Sequence, residues 1–213
     1  MDYIRKDLKI PIEITGMEYF GPEQHIIDMN EIVADQPNPI QVLGKYEGLW
    51  DGEIDDAIKT ATTIQYSDRH IHPTYLYEVQ DLSICPTIEK MPEALGFVKG
   101  YYKAQIQMQR PGCVFNTHVD YDIFGMIPED LQHHGIRVLI MLANWEHGQI
   151  MGFNNAIWKE WKAGDILTSD FLNIRHFTAN GSCHSRPILQ VTGLPNEQLR
   201  AQIKNKQSCI INI

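Results

Sequence analysis

Short strand-like segments dominate the chain from Val98 to Gly193. Apolar and polar residues alternate from Tyr102 to Gln109, and a nearly continuous apolar run covers 136–143. Such patterns are typical of a half-buried and a fully buried strand, respectively. Further short strands are predicted over 166–172, 175–178 and 187–192, with turns at 163–165 and 180–182. Many short strands at this spacing predict a closed sandwich or barrel, and a jelly roll is one such solution.

The first 97 residues mix helix-like and strand-like patterns. The predicted elements are a strand at 8–14, helices at 23–34, 53–64 and 86–97, and an extended segment at 70–79. No linker-like stretch separates them from the rest. We therefore expect one mainly β domain, 1–213. Residues 1–97 would be α/β covering elements, 98–193 the jelly-roll core and 194–213 a C-terminal tail.

Composition narrows the function classes. The chain has 18 Lys+Arg against 27 Asp+Glu, a net charge of -9, so binding to nucleic acid is not expected. No apolar run approaches the roughly 20 residues of a membrane span, and the first residues lack a signal peptide's apolar stretch. The four cysteines are scattered and form no CxxC pair, as expected for free thiols in a reducing cytoplasm. We expect a cytoplasmic protein without a membrane partner.

One group of residues suggests metal chemistry. His118 and Asp120 are two positions apart, so on a strand their side chains would project from the same face. His176 follows 58 residues after His118, and Arg186 a further 10 residues on, beyond a turn that would close a hairpin. Two histidines and one carboxylate form the facial triad of non-haem Fe(II) oxygenases. A nearby arginine could bind a carboxylate through its planar fork of donors.

Two segments, Gly112–Asp120 (GCVFNTHVD) and Trp161–Gly193, resemble the 2-oxoglutarate/Fe(II)-dependent dioxygenases. Within that superfamily they are most similar to the aspartyl/asparaginyl and prolyl hydroxylase-like groups, some encoded by bacteria and phages. The resemblance implies a double-stranded β-helix, a cupin-like jelly roll. It also implies that His118, Asp120 and His176 ligate Fe(II), that Arg186 binds 2-oxoglutarate, and that O2 is consumed as substrate is hydroxylated. Succinate and CO2 would be released.

The sequence departs from this family pattern at two places. Ile188 stands where many members carry a hydroxyl residue two positions after the arginine. Gln107 and Gln109 occupy the strand where many members place a tyrosine before the first histidine. We therefore consider Gln107 and Arg137 as candidate residues that contact 2-oxoglutarate. For Arg137, a charge on the barrel rim is the alternative that we favour.

Several alternatives remain open at the level of sequence. His184 rivals His176 as the second histidine ligand, although its turn-like surroundings fit less well. A cupin-like isomerase or sugar-binding module without oxygenase activity would also bind a metal, but it would not require Arg186. A catalytically inactive descendant is a third hypothesis. The substrate is a small molecule or a peptide, with a peptide or amino-acid residue favoured by the resemblance. The oligomeric state is not indicated.

Overall fold

The computed structural model describes residues 40–47, 50–66, 74–121, 124–154, 156–205 and 209–212, all within the compact unit Pro37–Ile213. The described strands are β1 (Gln41–Glu47), β2 (Thr62–Tyr66), β3 (Thr74–Val79), β4 (Phe97–Gln109), β5 (Val114–His118), β6 (Ile136–Met141), β7 (Gln149–Phe153), β8 (Ala156–Trp158), β9 (Asp165–Thr168), β10 (His176–Asn180), β11 (Arg186–Pro195) and β12 (Cys209–Asn212). The described α-helices are α1 (Asp51–Thr60), α2 (Pro86–Leu95) and α3 (Glu197–Lys204).

The described strands form two sheets. The larger sheet has the spatial order β12-β1-β9-β6-β11-β4-β3-β2, and the smaller has the order β5-β10-β7-β8. From β4 to β11 the chain passes between the sheets: β4, β6, β9 and β11 lie in the larger one, and β5, β7, β8 and β10 in the smaller one. This alternation is the double-stranded β-helix, or jelly roll. The predicted fold class, mainly β with helices before the core, is confirmed.

The helices cover one face of the larger sheet. Alternate residues of its central strands, such as Ile106, Val138 and Leu189, are fully buried in one core with residues of all three helices. Because successive side chains on a strand point to opposite faces, the residues between them point toward the smaller sheet. The larger sheet therefore separates a helix-covered core from the space between the two sheets.

The core between the sheets is smaller and richer in aromatic residues. It consists of Leu139, Met141, Met151, Phe153, Trp161, Leu167, Phe171 and Ile188. Met151 and Phe153 come from β7 in the smaller sheet, whereas Leu139 and Ile188 come from β6 and β11 in the larger one. These contacts fix the spacing between the sheets, and the remaining space forms a cavity.

The residues at the two ends of α2 show how the local sequence determines where a helix begins and ends. Pro86 occupies its first turn, where the missing N–H costs no intrahelical hydrogen bond. Gly96 ends it with a φ of 113°, a left-handed conformation that favours glycine. The side chain of Asn196 packs closely against Gly96: a Cβ added to this glycine would lie only 3.0 Å from Oδ1 of Asn196. The same Oδ1 caps α3 by accepting a hydrogen bond from the Leu199 N–H at 2.9 Å. The two helices are thus tied to each other through a single asparagine.

Most predicted elements have a counterpart, with shifted bounds. The predicted helix at 53–64 is α1 followed by β2, and the helix at 86–97 is α2. The strands predicted over 102–109, 136–143 and 187–192 are parts of β4, β6 and β11. The strand at 8–14 and the helix at 23–34 lie outside the described residues. The predicted single domain, 1–213, stays a prediction.

Three details differ from the sequence-based predictions. The turn at 180–182 does not close a hairpin, because β10 belongs to the smaller sheet and β11 to the larger one. The predicted strand at 166–172 ends at Thr168, where the chain leaves the sheet and turns back toward β10. The C-terminal tail contains α3 and β12, which pairs in parallel with β1. In addition, β7 and β8 were not predicted.

None of the described helices combines the length and apolar composition that a membrane span requires.

Candidate metal centre

The smaller sheet brings the two predicted histidine ligands together. His118 is the last residue of β5 and His176 the first residue of β10. These strands pair in antiparallel fashion with the two histidines as direct Cα partners, and their ring centroids are 4.2 Å apart. Although 58 positions separate them in sequence, both imidazoles thus lie at the same end of one strand pair.

Asp120 completes the group from just beyond the strand. Because β5 ends at His118, Asp120 does not lie on a strand as predicted, and its backbone N–H donates to the carbonyl of Phe171 at 2.9 Å. Its Oδ1 lies 3.6 Å from Nε2 of His118 and 3.7 Å from Nε2 of His176. The donor atoms of the three residues all lie within 4.8 Å of one another, so this group could hold a metal ion.

Backbone carbonyls orient both imidazoles in the same way. Nδ1 of His118 lies 2.7 Å from the carbonyl of Asn116, and Nδ1 of His176 lies 3.0 Å from the carbonyl of Ile174. A carbonyl only accepts, so each Nδ1 carries the proton and each Nε2 presents its lone pair to the group. Metal-ligating histidines commonly have this arrangement.

Arg137 holds the carboxylate from its other side. Its Nη1 donates to Oδ2 of Asp120, and its Nε donates to Oγ1 of Thr192 at 2.8 Å. Oδ2 is therefore engaged, while Oδ1 faces the imidazoles. The Arg137 side chain is 13% exposed and is engaged with Asp120 and Thr192, whereas the sequence favoured a charge on the barrel rim. Its place on β6, two positions before Leu139 of the inter-sheet core, points it into the cavity.

The surroundings favour the protonation states that a metal requires. Burial alone would raise the pKa of Asp120, but the polar contact with His118 and the charge of Arg137 lower it below its usual range. Burial lowers the pKa of His176, against the opposing effects of the Ile174 carbonyl and Asp120. Asp120 is thus an anion and His176 a neutral imidazole near neutral pH.

Aromatic rings enclose the imidazoles. Phe115 contacts His118 edge-on with centroids 4.5 Å apart, and Phe171 contacts His176 edge-on at 5.1 Å. Phe153 stacks with His176 at 6.0 Å. These rings restrict the imidazole orientations and keep the inner side of the group apolar.

The group opens into a cavity of about 490 Å³ between the two sheets. This volume lies within the range of small-molecule sites, ~300–1,000 Å³. The residues that line it include Asp120 and Arg137 and the other four predicted site residues, Gln107, His118, His176 and Arg186. All six predicted site residues therefore share one cavity.

Arg186 is an unusual residue in this cavity. It is the first residue of β11 and is only 4% exposed. Its Nε and Nη1 have no hydrogen-bond partner among the described residues, and neither does the nearby indole Nε1 of Trp161. Burial lowers the pKa of Arg186 to about 10, so it remains a cation at neutral pH. A buried cation with unused donors is costly unless an anionic group pairs with it.

The structure also reveals a polar cluster that sequence reasoning missed. Glu78, on β3, is 2% exposed, and its Oε1 accepts from Nε2 of Gln105 at 3.1 Å and of Gln107 at 3.0 Å. Gln107 thus contacts a buried carboxylate as well as lining the cavity. The alternation of glutamines with apolar residues along β4 was the available signal, but the position of Glu78 depends on the pairing of β3 with β4.

The other described histidines, including the rival candidate His184, lie outside the metal-binding group. His184 is exposed, and its Nδ1 lies 2.8 Å from Oε2 of Glu146. His133 and His134 are neighbours in a 3₁₀ turn, and His147 lies near Trp145. His70 and His72 lie outside the described residues. Only His118 and His176, among the described histidines, meet a carboxylate in a group that could hold a metal.

No protein-family model matches the sequence, and no curated protein is significantly similar to it. Solved structures match at low identity. The non-heme α-ketoglutarate-dependent epimerase SnoN from nogalamycin biosynthesis is 10% identical, with 80% of this chain and 83% of that chain covered and a TM-score of 0.51. A predicted oxalate decarboxylase from Thermotoga maritima is 15% identical (64% and 95% covered, TM-score 0.39), and the Cnp3 cupin domain of Schizosaccharomyces pombe is 7% identical (68% and 93%, TM-score 0.36). At these identities the likenesses concern the fold alone.

Proposed function

We propose that this chain is a non-haem Fe(II)- and 2-oxoglutarate-dependent oxygenase that hydroxylates a small metabolite or an amino-acid residue. One oxygen atom of O2 would enter the new C–OH group. The other would enter succinate as the C1 carboxylate of 2-oxoglutarate leaves as CO2. The observation that carries the proposal is that one cavity contains both the His118–Asp120–His176 group and the buried, incompletely paired Arg186.

The donor set fits iron. Two neutral imidazole nitrogens and one carboxylate oxygen, converging from one side, form the ligand set of non-haem Fe(II) oxygenases and leave further coordination positions for exogenous ligands. The carboxylate also makes a halide ligand unnecessary, which favours hydroxylation over halogenation. Iron bound there would supply the oxidising chemistry, in which O2 is reduced and 2-oxoglutarate is decarboxylated.

The inner end of the cavity fits a dicarboxylate. Arg186 offers buried donors to the carboxylate distant from the metal, in the bidentate manner typical of guanidinium groups. Leu139, Met151 and Ile188 line the same cavity and would contact the methylene carbons between the two carboxylates. An anion paired with Arg186 would offset the cost of burying its charge.

Arg137 fits this anchoring role less well. Its guanidinium donates to both Asp120 and Thr192, which engages donors that a co-substrate would need. Gln109 offers little as a second anchor, since its Nε2 donates to the carbonyls of Cys113 and Thr178. Thr178 lines the cavity two residues beyond His176 on β10 and supplies a hydroxyl group, which Ile188 lacks. It is our candidate for the second contact.

The other side chains would orient the ligands and exclude water. The carbonyls of Asn116 and Ile174 hold the imidazoles, and Arg137 holds Asp120 so that Oδ1 faces them. Phe115, Phe153 and Phe171 surround the imidazoles with apolar rings. A dry, fixed site of this kind protects a reactive oxidant from water.

The test is succinate formation by the full chain loaded with Fe(II) and supplied with 2-oxoglutarate and O2. Even without the prime substrate, slow uncoupled turnover is expected from the wild type and should be lost in His176→Ala. An iron-binding protein that neither binds nor decarboxylates 2-oxoglutarate would instead be a cupin-like metal protein. That result would contradict the proposal.

A further inference from the structure

The larger sheet presents its cavity residues in cross-strand rows. Each row consists of Cα partners on β4, β11 and, for the two outer rows, β6. From the inner to the outer end the rows are Gln109 with Arg186, Gln107 with Ile188, Gln105 with Gln190 and Leu139, and Lys103 with Thr192 and Arg137. Arg186 and Thr192 are six residues apart on one strand, so the rows span about 20 Å. The cavity is therefore elongated, with Arg186 at one end and Lys103 at the other.

The outer end is the one that solvent reaches. Lys103 is exposed, whereas Arg186 at the other end is buried. Arg137 of the outermost row reaches Asp120, whereas the carbonyl of Thr178, two residues beyond His176, accepts from Gln109 of the innermost row, so the metal-binding group lies between the two ends. On the wall that the larger sheet forms, a substrate that enters at this end would contact the rows of Lys103 and Gln105. These rows are separate from the Arg186 end that we assign to the co-substrate.

Glu78 fixes the amide orientation of Gln105. A carboxylate only accepts hydrogen bonds, so Gln105 must turn its NH2 group toward Glu78 and its carbonyl oxygen away. Gln107 donates to the same Glu78 oxygen, which holds it in place. Gln105 is 6% exposed, and its Oε1 is buried without a hydrogen-bond partner in the part of the chain that the structure describes. The outer wall thus contains a preoriented, unused acceptor beside the cavity.

Lys103 supplies the charge at the same end. The cations that line the cavity, among the described residues, are Lys103, Arg137 and Arg186. Arg186 is assigned to the co-substrate, and Arg137 is paired with Asp120. Lys103 lies two residues from Gln105 on the same face of β4, so a single small molecule can reach both side chains.

From these observations we infer that the outer half of the cavity binds a small anionic substrate. A hydroxyl or N–H group of this molecule donates to Gln105 Oε1, and its carboxylate or phosphate pairs with Lys103. This inference rests on the proposed function and adds the chemical class of the prime substrate. The cavity volume of about 490 Å³, shared with 2-oxoglutarate, favours a small molecule over a folded protein or a long peptide.

The test uses matched probes on the full chain, loaded with Ni(II) and 2-oxoglutarate under anaerobic conditions so that no turnover occurs. The carboxylate probes are 3-hydroxybutyrate and N-acetylglycine, and the phosphate probe is glycerol 3-phosphate. Their controls are 3-hydroxybutyramide, N-acetylglycinamide and glycerol, which lack the charge, and 3-methoxybutyrate, which lacks the donor. Binding is measured by saturation-transfer NMR and calorimetry at millimolar ligand. At least one anionic probe should bind, and its neutral and donor-free analogues should bind about tenfold more weakly or not at all.

Variants assign the effect to the two side chains. Lys103→Met should weaken the anionic probe about tenfold and abolish the preference over its neutral analogue. Lys99→Met, which removes an exposed lysine of the same strand paired with Glu93, should bind the probe like the wild type. Gln105→Leu should bind 3-hydroxybutyrate no better than its methyl ether. If Gln105→Leu does not fold, Glu78→Gln provides a second test. This variant no longer fixes the orientation of the Gln105 amide and should reduce the preference for 3-hydroxybutyrate over 3-methoxybutyrate.

The inference fails if none of the anionic probes binds, if only neutral molecules or longer peptides bind, or if Lys103→Met leaves the charge preference intact. Titration with 2-oxoglutarate separates this failure from that of the proposed function. A protein that binds 2-oxoglutarate but no anionic probe contradicts the substrate class alone. A protein that does not bind 2-oxoglutarate contradicts the oxygenase proposal. In that case the probes are titrated against the metal-loaded protein without 2-oxoglutarate, and they test the outer half of the cavity alone.

Discussion

Arg137 donates a hydrogen bond from Nη1 to Oδ2 of Asp120 and thereby leaves Oδ1 as the carboxylate oxygen that faces the two imidazoles. Thr192 accepts from Nε of the same guanidinium and fixes its position. This relationship joins a strand of the larger sheet to a ligand that follows a strand of the smaller one. The group that could hold a metal ion is thus contacted from both sheets.

Loss of the Arg137 contact should weaken metal binding. Arg137→Met frees the Asp120 carboxylate to rotate, and loss of such an outer contact typically lowers metal affinity about 10–100-fold. Thr192→Val acts only through Arg137 and should have a smaller effect. Titration with Co(II), followed by visible absorption, measures both. Arg110→Met, which removes an exposed arginine stacked on Tyr77, is the matched control. Unchanged Co(II) affinity in Arg137→Met would show that Asp120 needs no such support.

The two candidate histidines can be separated by metal binding. His176→Ala and Asp120→Ala each remove one of three donors and should abolish stoichiometric binding of Fe(II). His184→Ala should bind Fe(II) like the wild type, because His184 is exposed and paired with Glu146. Anaerobic calorimetry gives the stoichiometry. Loss of iron from His184→Ala, with retention in His176→Ala, would reverse the ligand assignment.

Arg186→Met should weaken 2-oxoglutarate binding far more than metal binding. Removing one partner of a buried charge pair costs about 2 kcal/mol or more, roughly a 30-fold loss of affinity. The Fe(II) affinity should stay unchanged, since Arg186 is not among the ligating residues. Calorimetric titration of each ligand measures both effects. If 2-oxoglutarate binds as before, the anchor is another residue, and Arg137 becomes the next candidate.

The same variant should not destabilise the ligand-free protein. Arg186 is buried, and two of its donor nitrogens have no partner among the described residues. An apolar side chain of similar length therefore removes a desolvation cost and loses few contacts. The melting temperature of ligand-free Arg186→Met is expected to equal or exceed that of the wild type. A large decrease would indicate that Arg186 has a structural partner.

The buried thiol of Cys85 should make stability depend on pH in alkaline solution. Burial raises its pKa to about 11 from 9.0, and the charges of Glu53 and Asp56 act in the same direction. Between these values the unfolded chain has lost a proton that the folded protein retains, so the free energy of unfolding falls as the pH rises. Below pH 9 both states keep the proton and the effect vanishes. Urea denaturation across this range should show a steeper fall for the wild type than for Cys85→Ala. Cys183→Ala, which removes an exposed thiol, should behave like the wild type.

The fold was predictable because its signals are local. Alternation along β4 and the apolar run of β6 reflect strands whose two faces have fixed environments. The sheet to which a strand belongs is not encoded locally, and the link at 180–182 therefore suggested a hairpin that does not exist. The short strands β7 and β8 escaped prediction because their sequences carry little alternation over so few residues.

The candidate site was predictable in composition but not in arrangement. The spacing of His118, Asp120 and His176 indicated a metal-binding group, and the structure brings these side chains together. The contact of Arg137 with Asp120 could not be read from sequence, because it depends on the packing of one sheet against the other. The same holds for Glu78, whose role arises from the register of β3 against β4.

The central claim, that the triad and Arg186 bind Fe(II) and 2-oxoglutarate together, is tested most directly by anaerobic titration of the full chain. Fe(II) is added first and 2-oxoglutarate second, and the weak visible charge-transfer band of the chelate is recorded. We expect a band that requires both ligands, disappears in His176→Ala and demands much higher 2-oxoglutarate in Arg186→Met. Iron binding without any band at saturating 2-oxoglutarate would contradict the account and leave a cupin-like metal protein.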